Sequence, residues 1–207
     1  RIYNPYGLGG YMGYWLAPQI RTFIDGRTEH YAAEVMEDFQ RVEARVTSPG
    51  ETFEQVLERR GVDLFFGVGG AAFHYDVSDT LLHVYGRPGW LLIYRSLEHA
   101  IYLRDNPKNA ENLRRVAAYY QARGVPFDPR RGLDMDALVA TASAWPWATK
   151  NRLLPGNFAV IRGAAEAKEP VDPAVRYRAL DALAEHYRLI GAYRSQLAAD
   201  QAALALR

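Results

Sequence analysis

The chain is 207 residues long, 49% hydrophobic and 24% charged, with 25 Lys and Arg against 24 Asp and Glu for a formal net charge of +1. That mixture is globular, long enough for one large domain or two compact ones, and too evenly charged for the basic field of a dedicated nucleic-acid binder. The absence of cysteine excludes disulfides, thiolate metal sites and a cysteine nucleophile, and no apolar run approaches the ~18 residues that would span a bilayer.

Tyr3, Tyr6, Tyr11, Tyr14 and Trp15 crowd the first fifteen residues. Such amphipathic rings suit a membrane–water boundary or a carbohydrate surface, and equally plain packing. The glycines Gly7, Gly9, Gly10 and Gly13 lack the spacing of a dinucleotide-binding turn, which leaves a loop leading into a short helix. Ile20–Asp25 predicts a short strand closed by the turn signal Asp25-Gly26. In Tyr31–Val46 the apolar Val35, Phe39, Val42 and Val46 recur at helical spacing, with Glu34, Glu37 and Asp38 expected on the solvated face. Thr52–Arg60 predicts a second helix, stopped by Gly61. Val62–Val68 reads as a buried strand, and the following Gly69-Gly70 lacks the Lys-Ser/Thr of a phosphate loop. Ser78 or Asp79 is placed to cap a short helix running through Tyr85. Trp90–Arg95 and Ala100–Arg104 read as an antiparallel hairpin. The expectation for residues 1–105 is an α/β module, a small mixed sheet with packed helices.

From Asp105-Asn106-Pro107 onward the periodicity is helical. Leu183-Ala184, Tyr187 and Gly191 repeat the spacing of Val116-Ala117, Tyr120 and Gly124, displaced by 67 residues, and Gly156-Asn157-Phe158 mirrors Gly191-Ala192-Tyr193 at a displacement of 35. On these residues the segment resembles the tetratricopeptide repeat, most specifically from Ala179 to Leu206 with Gly191 at the turn between two helices. An ordinary helical-hairpin bundle is the alternative. The expectation for residues 106–207 is an all-α tetratricopeptide-like module. Within it Trp145-Pro146-Trp147 reads as packing between helices, with a sugar or peptide groove as the alternative.

The residues offer little chemistry. His30, His74, His83, His99 and His186 show no metal-ligand spacing; His74-Tyr75-Asp76 could form part of a site, and His99 beside Glu98 reads as decorating a hairpin turn. No G-x-S-x-G elbow anchors a triad. Neither a catalytic set, a metal nor a cofactor is expected.

Asn4, five residues ahead of Gly9-Gly10-Tyr11, is followed by Phe23-Ile24-Asp25-Gly26-Arg27 and then by Gly61-Val62-Asp63. In this order the chain, over residues 3–104, resembles the point where bacterial multi-pass membrane glycosyltransferase-like proteins of the GT-C class begin a soluble domain. The resemblance implies an extracytoplasmic, periplasmic region of a larger membrane protein, a lipid-linked-sugar glycosyltransferase or a relative. The catalytic acids of that class lie among membrane helices, so this part would bind and not catalyse alone. Its partners would be a protein or glycan acceptor and the membrane-spanning part of the same parent. The residues expected to bind are Tyr6, Tyr11, Trp15, Asp25 and Arg27, the last two at the end of the first strand, where ligands gather in α/β sheets. The plainer reading is that Asp25 closes an Asx-type turn and Arg27 forms a structural ion pair. The alternative for the whole chain is a freestanding tetratricopeptide-type scaffold that grips a peptide.

Overall fold

The structure is a computed structural model that describes residues 1–47, 49–69, 79–167 and 171–206. The chain divides into two compact units, Arg1–Leu113 and Arg114–Arg207. The division falls after Leu113, inside the helix Ala110–Gln121.

In the first unit β1 (Ile2–Tyr3), β2 (Leu64–Val68), β3 (Trp90–Arg95) and β4 (His99–Arg104) lie in the order β1-β2-β4-β3. β1 runs parallel to β2, whereas β2 pairs with β4, and β4 with β3, antiparallel. The sheet is therefore mixed. Successive strand residues point to opposite faces. One face carries Phe65, whose ring stacks on Tyr3 at 4.6 Å between centroids and meets Tyr102 edge-on at 6.3 Å. Tyr3 stacks in turn on Phe39 at 5.7 Å, which joins the sheet to α2 (Ala33–Glu43). The other face gathers Leu64, Leu91 and Leu103 against Leu113. α3 (Phe53–Arg59) begins with a reciprocal capping box, Thr52 accepting from the Gln55 backbone N–H and Gln55 from that of Thr52. It buries Phe53, Val56 and Leu57.

Three expectations change here. Ile20–Asp25 is not a strand. Only Thr22 bridges to Ile2, and the groups a neighbouring strand would have paired go to a side chain. Buried Asn4 accepts from the Phe23 N–H at 3.0 Å and donates to the Ile24 carbonyl at 2.9 Å. Asp38 is not on a solvated face. It is buried and holds Arg59 at 2.8 Å and Arg60 at 2.5 Å, while both guanidinium groups also reach Glu34, pinning α2 to the end of α3. Residues 81–86 form turns and no helix, with the Asp79 carboxylate accepting from the Leu81 N–H. Gly70, His74-Tyr75-Asp76 and Ser78 lie outside the described residues.

The second unit takes up α4 (Ala110–Gln121) and continues with α5 (Met135–Ala140), α6 (Trp145–Lys150), α7 (Phe158–Glu166), α8 (Pro173–Ile190) and α9 (Tyr193–Leu204). It is not all-α. Between α4 and α5 the strands β5 (Phe127–Asp128) and β6 (Gly132–Leu133) pair antiparallel. The Asp128 side chain closes their turn by accepting from the Arg130 N–H. Trp145 and Trp147 both pack. Trp147 meets Tyr120 edge-on at 5.3 Å, and Trp145 meets Phe158 at 5.1 Å while donating to the Val139 carbonyl.

The 67-residue echo has a local cause. At Gly191 (φ +84°) the glycine N–H bonds the Arg188 carbonyl and the Ala192 N–H bonds that of Tyr187, the paired bonds of a Schellman helix stop. Gly124 (φ +65°) repeats both bonds, to Gln121 and from Val125 to Tyr120. The tyrosine marks the carbonyl that closes the motif, and the buried residue after each glycine packs beneath it. Beyond the glycine the two segments diverge, into α9 after Gly191 and into the β5–β6 pair after Gly124.

Candidate functional site

α1 (Gly9–Leu16) follows a single 3-10 turn over Tyr6–Leu8 and stops ahead of Ala17-Pro18, where a residue preceding proline leaves the helical region. Its first residue lies directly on the segment that Asn4 holds. A Cβ at Gly9 would stand 2.0 Å from the Ile24 carbonyl oxygen and 2.6 Å from the Asp25 Cα, so only glycine permits this approach. The helix is thereby laid against the turn that begins at Asp25.

That turn is organised by one carboxylate. Asp25 is 4% exposed. One of its oxygens accepts from the Arg27 N–H at 3.0 Å and from Arg27 Nε at 3.2 Å, and the other accepts from Nη2 at 2.6 Å. The guanidinium bond and charge of Arg27 hold the carboxyl well below the usual carboxylate range, at about 2, against the opposing effect of burial. Tyr31 adds a smaller hydrogen-bonding effect of the same sign. The Tyr31 hydroxyl is itself pushed up, first by burial and then by the Asp25 charge. Asp25 thus closes an Asx turn and Arg27 caps it with an ion pair.

Between α1 and this turn lies an open cleft of about 730 Å³, bordered by Gly10, Gly13, Tyr14, Arg21, Arg27 and Tyr31 with Asp25 at its base. Among the described residues the Arg21 guanidinium has no hydrogen bond or ion pair, and Arg27 keeps Nη1 uncommitted. The cleft can therefore offer guanidinium donors and a phenol to a polar or anionic ligand, beside a glycine-lined wall.

Of the five residues singled out from sequence, the cleft brings together Asp25 and Arg27. Tyr6, Tyr11 and Trp15 do not line it. They stand on the outside, where Trp15 meets Tyr11 at 6.2 Å and Tyr14 at 5.1 Å. Helical spacing explains the partition: Tyr11 and Trp15 share one face, Gly10, Gly13 and Tyr14 the next. Tyr14, Arg21 and Tyr31 are the cleft residues that sequence reasoning missed. Tyr14 is legible from that spacing. Arg21 and Tyr31 carry no signal without the turn. Among the described residues no group of three or more His, Asp or Glu is placed to hold a metal ion, and no helix is long and apolar enough to cross a membrane. Comparison of the chain with family models, with curated proteins and with solved structures returns no match.

Proposed function

We propose that the chain is an extracytoplasmic binding region of a larger, membrane glycosyltransferase-like protein, which meets the bilayer surface through α1 and receives a glycan or protein acceptor in the adjoining cleft. The observation that carries this reading is the aromatic cluster of α1, with Tyr11 and Trp15 on its outer face and Tyr14 beside them at the edge of the cleft. Tyr11 is 68% exposed, Tyr14 78% and Trp15 64%, on a helix without a charged residue. A contiguous aromatic patch of this kind is uncommon on a surface that meets only water, and Tyr and Trp rings are at their best at the headgroup level. The guanidinium groups of Arg21 and Arg27 on the neighbouring rim suit anionic headgroups or a phosphorylated acceptor.

Flotation with phosphatidylcholine–phosphatidylglycerol vesicles tests it. The chain is expected to float, and the triple variant Tyr11→Ser, Tyr14→Ser, Trp15→Ser to stay at the bottom while melting at the same temperature. A chain that never floats, or a triple variant that floats equally, refutes the membrane part of the proposal. Acceptor binding is read separately, as loss of transfer by the parent protein carrying Arg21→Ala with the melting temperature unchanged.

One observation favours a second reading, a freestanding tetratricopeptide-type scaffold for a protein partner. α8 and α9 form an antiparallel pair around Gly191, and α9 leaves Tyr193, Leu197 and Leu204 exposed at helical spacing. Failure to float with vesicles, together with loss of a protein partner on Leu197→Asp, would select it.

A further inference from the structure

The second unit holds an open pocket of about 460 Å³ among α5, α7, α8 and α9, separate from the cleft on which the functional proposal rests. One stripe of α8 lines it: Arg176, Leu180, Leu183 and Tyr187, at spacings of four, three and four residues. At ~1.5 Å rise per residue the stripe is about 16 Å long. Its middle is apolar and its two ends are polar. α9 supplies a low wall of Ala199 and Ala202, small enough to leave the space open, with Ser195 near the Tyr187 end because the helices are antiparallel.

The polar groups are not equally occupied. Arg162 is committed: Nε binds Glu166 at 2.8 Å, Nη1 binds the Val139 carbonyl, and its guanidinium lies 5.3 Å from the Trp145 ring centroid. Ser195 donates to Asp136 at 2.8 Å. Arg176 donates from Nε to the Ala165 carbonyl at 3.1 Å and has no carboxylate in ion-pair range among the described residues. Tyr187 is 5% exposed, yet its hydroxyl has no hydrogen-bond partner among them. The ring is buried, and the hydroxyl opens to the pocket, where a ligand can take its hydrogen bond. With Arg162 and Glu166 neutralising one another, the described lining carries one net positive charge, at Arg176.

We propose that this pocket is a binding site for a small amphipathic organic acid: its carboxylate on the free edge of the Arg176 guanidinium, its apolar body along Leu180 and Leu183, and a neutral oxygen at the far end accepting from the Tyr187 hydroxyl. Among the described residues a dianion has no second cation to meet, and a wholly apolar ligand leaves Arg176 and Tyr187 unsatisfied. The volume lies within the range of small-molecule sites.

The probes are octanoate, 8-hydroxyoctanoate and octanamide, titrated into the full chain by calorimetry and by the methyl resonances of Ala199 and Ala202. Both acids should bind saturably and shift those methyls, 8-hydroxyoctanoate a few-fold more tightly, with octanamide weaker by about tenfold or more. Arg176→Gln should cost both acids about tenfold or more. Tyr187→Phe keeps the ring and its packing, so it should leave octanoate binding in place and abolish the preference for the hydroxy acid. No saturable binding, an amide that binds as well as the acid, acid binding indifferent to Arg176→Gln, or a hydroxyl preference that survives Tyr187→Phe would each overturn the proposal.

Discussion

Asp25→Asn isolates the charge at the centre of the cleft turn. Asparagine keeps an oxygen to accept from the Arg27 N–H, so the Asx turn can persist, and what is removed is the attraction between a carboxylate and the guanidinium 2.6 Å away. The carboxyl lies at about 2 in the folded protein. From an ordinary aspartate near 3.9, linkage sets a ceiling of about 2.5 kcal/mol on what ionisation contributes. Arg27 is 73% exposed, so solvent screens its half of the pair and about 1–2 kcal/mol is the better expectation. The sign follows from the depressed value. The unfolded chain takes up the proton first as the pH falls, so the contribution is complete above about pH 5 and is lost as the pH drops through 4 towards 2. Urea unfolding of the wild type and of Asp25→Asn, followed by a probe in the first unit, should therefore show a gap at pH 7 that narrows to about a third near pH 2.5. A gap of the same size at both values would refute the electrostatic account and leave only the shape of the turn.

Two glycine substitutions separate two kinds of constraint. Gly191 has φ +84° and only the Tyr193 ring, 3.9 Å away, near the position of a Cβ, so its cost is backbone alone: about 1 kcal/mol for Gly191→Ala, less for Asn and more for Val, read from urea midpoints. Equal midpoints for Gly191→Val and wild type would mean that the stop does not form there. Gly9 carries no positive φ but no room, so Gly9→Ala should cost about 1–3 kcal/mol by forcing the backbones at Gly9 and Ile24 apart, and should weaken any ligand of the cleft at the same time. A fully stable Gly9→Ala protein would show that α1 does not rest on this segment.

Where one element buries a stripe against another, the sequence is readable. Phe39 and Val42 on α2, Val56 and Leu57 on α3, and the β3–β4 hairpin all follow the periods that burial imposes. Pairing that crosses element types escapes it. The apolar run before Asp25 looks like a strand because its composition is that of one, but its backbone partner is the amide of Asn4, and no periodicity announces a side chain standing in for a strand. Asp38 sits four residues before Val42 on the inward side of α2, tolerated only because Arg59 and Arg60 arrive from more than twenty residues away. β5 and β6 have two residues each, too few for an alternation to be seen.

The repeat signal is instructive for a different reason. Gly61 ends α3 with the same two bonds, to Glu58 and from Val62 to Leu57, in a part of the chain where no repeat is suspected. A spacing of helix, large apolar residue, four positions and glycine is thus what a Schellman stop requires wherever it occurs, and two of them 67 residues apart need share only that requirement. The tetratricopeptide reading of the second unit must then rest on the segment after the stop, and of these three stops only Gly191 is followed directly by a helix. In the cleft, too, local closure accounts for part of the pattern. Asp25 and three nitrogens of Arg27 are engaged in closing a turn, so any ligand is left to the groups the fold does not use: Nη1 of Arg27, the guanidinium of Arg21 and the exposed ring of Tyr14. A binding role there should consequently be more sensitive to Arg21→Ala than to Asp25→Asn, whereas stability should rank the two in the opposite order.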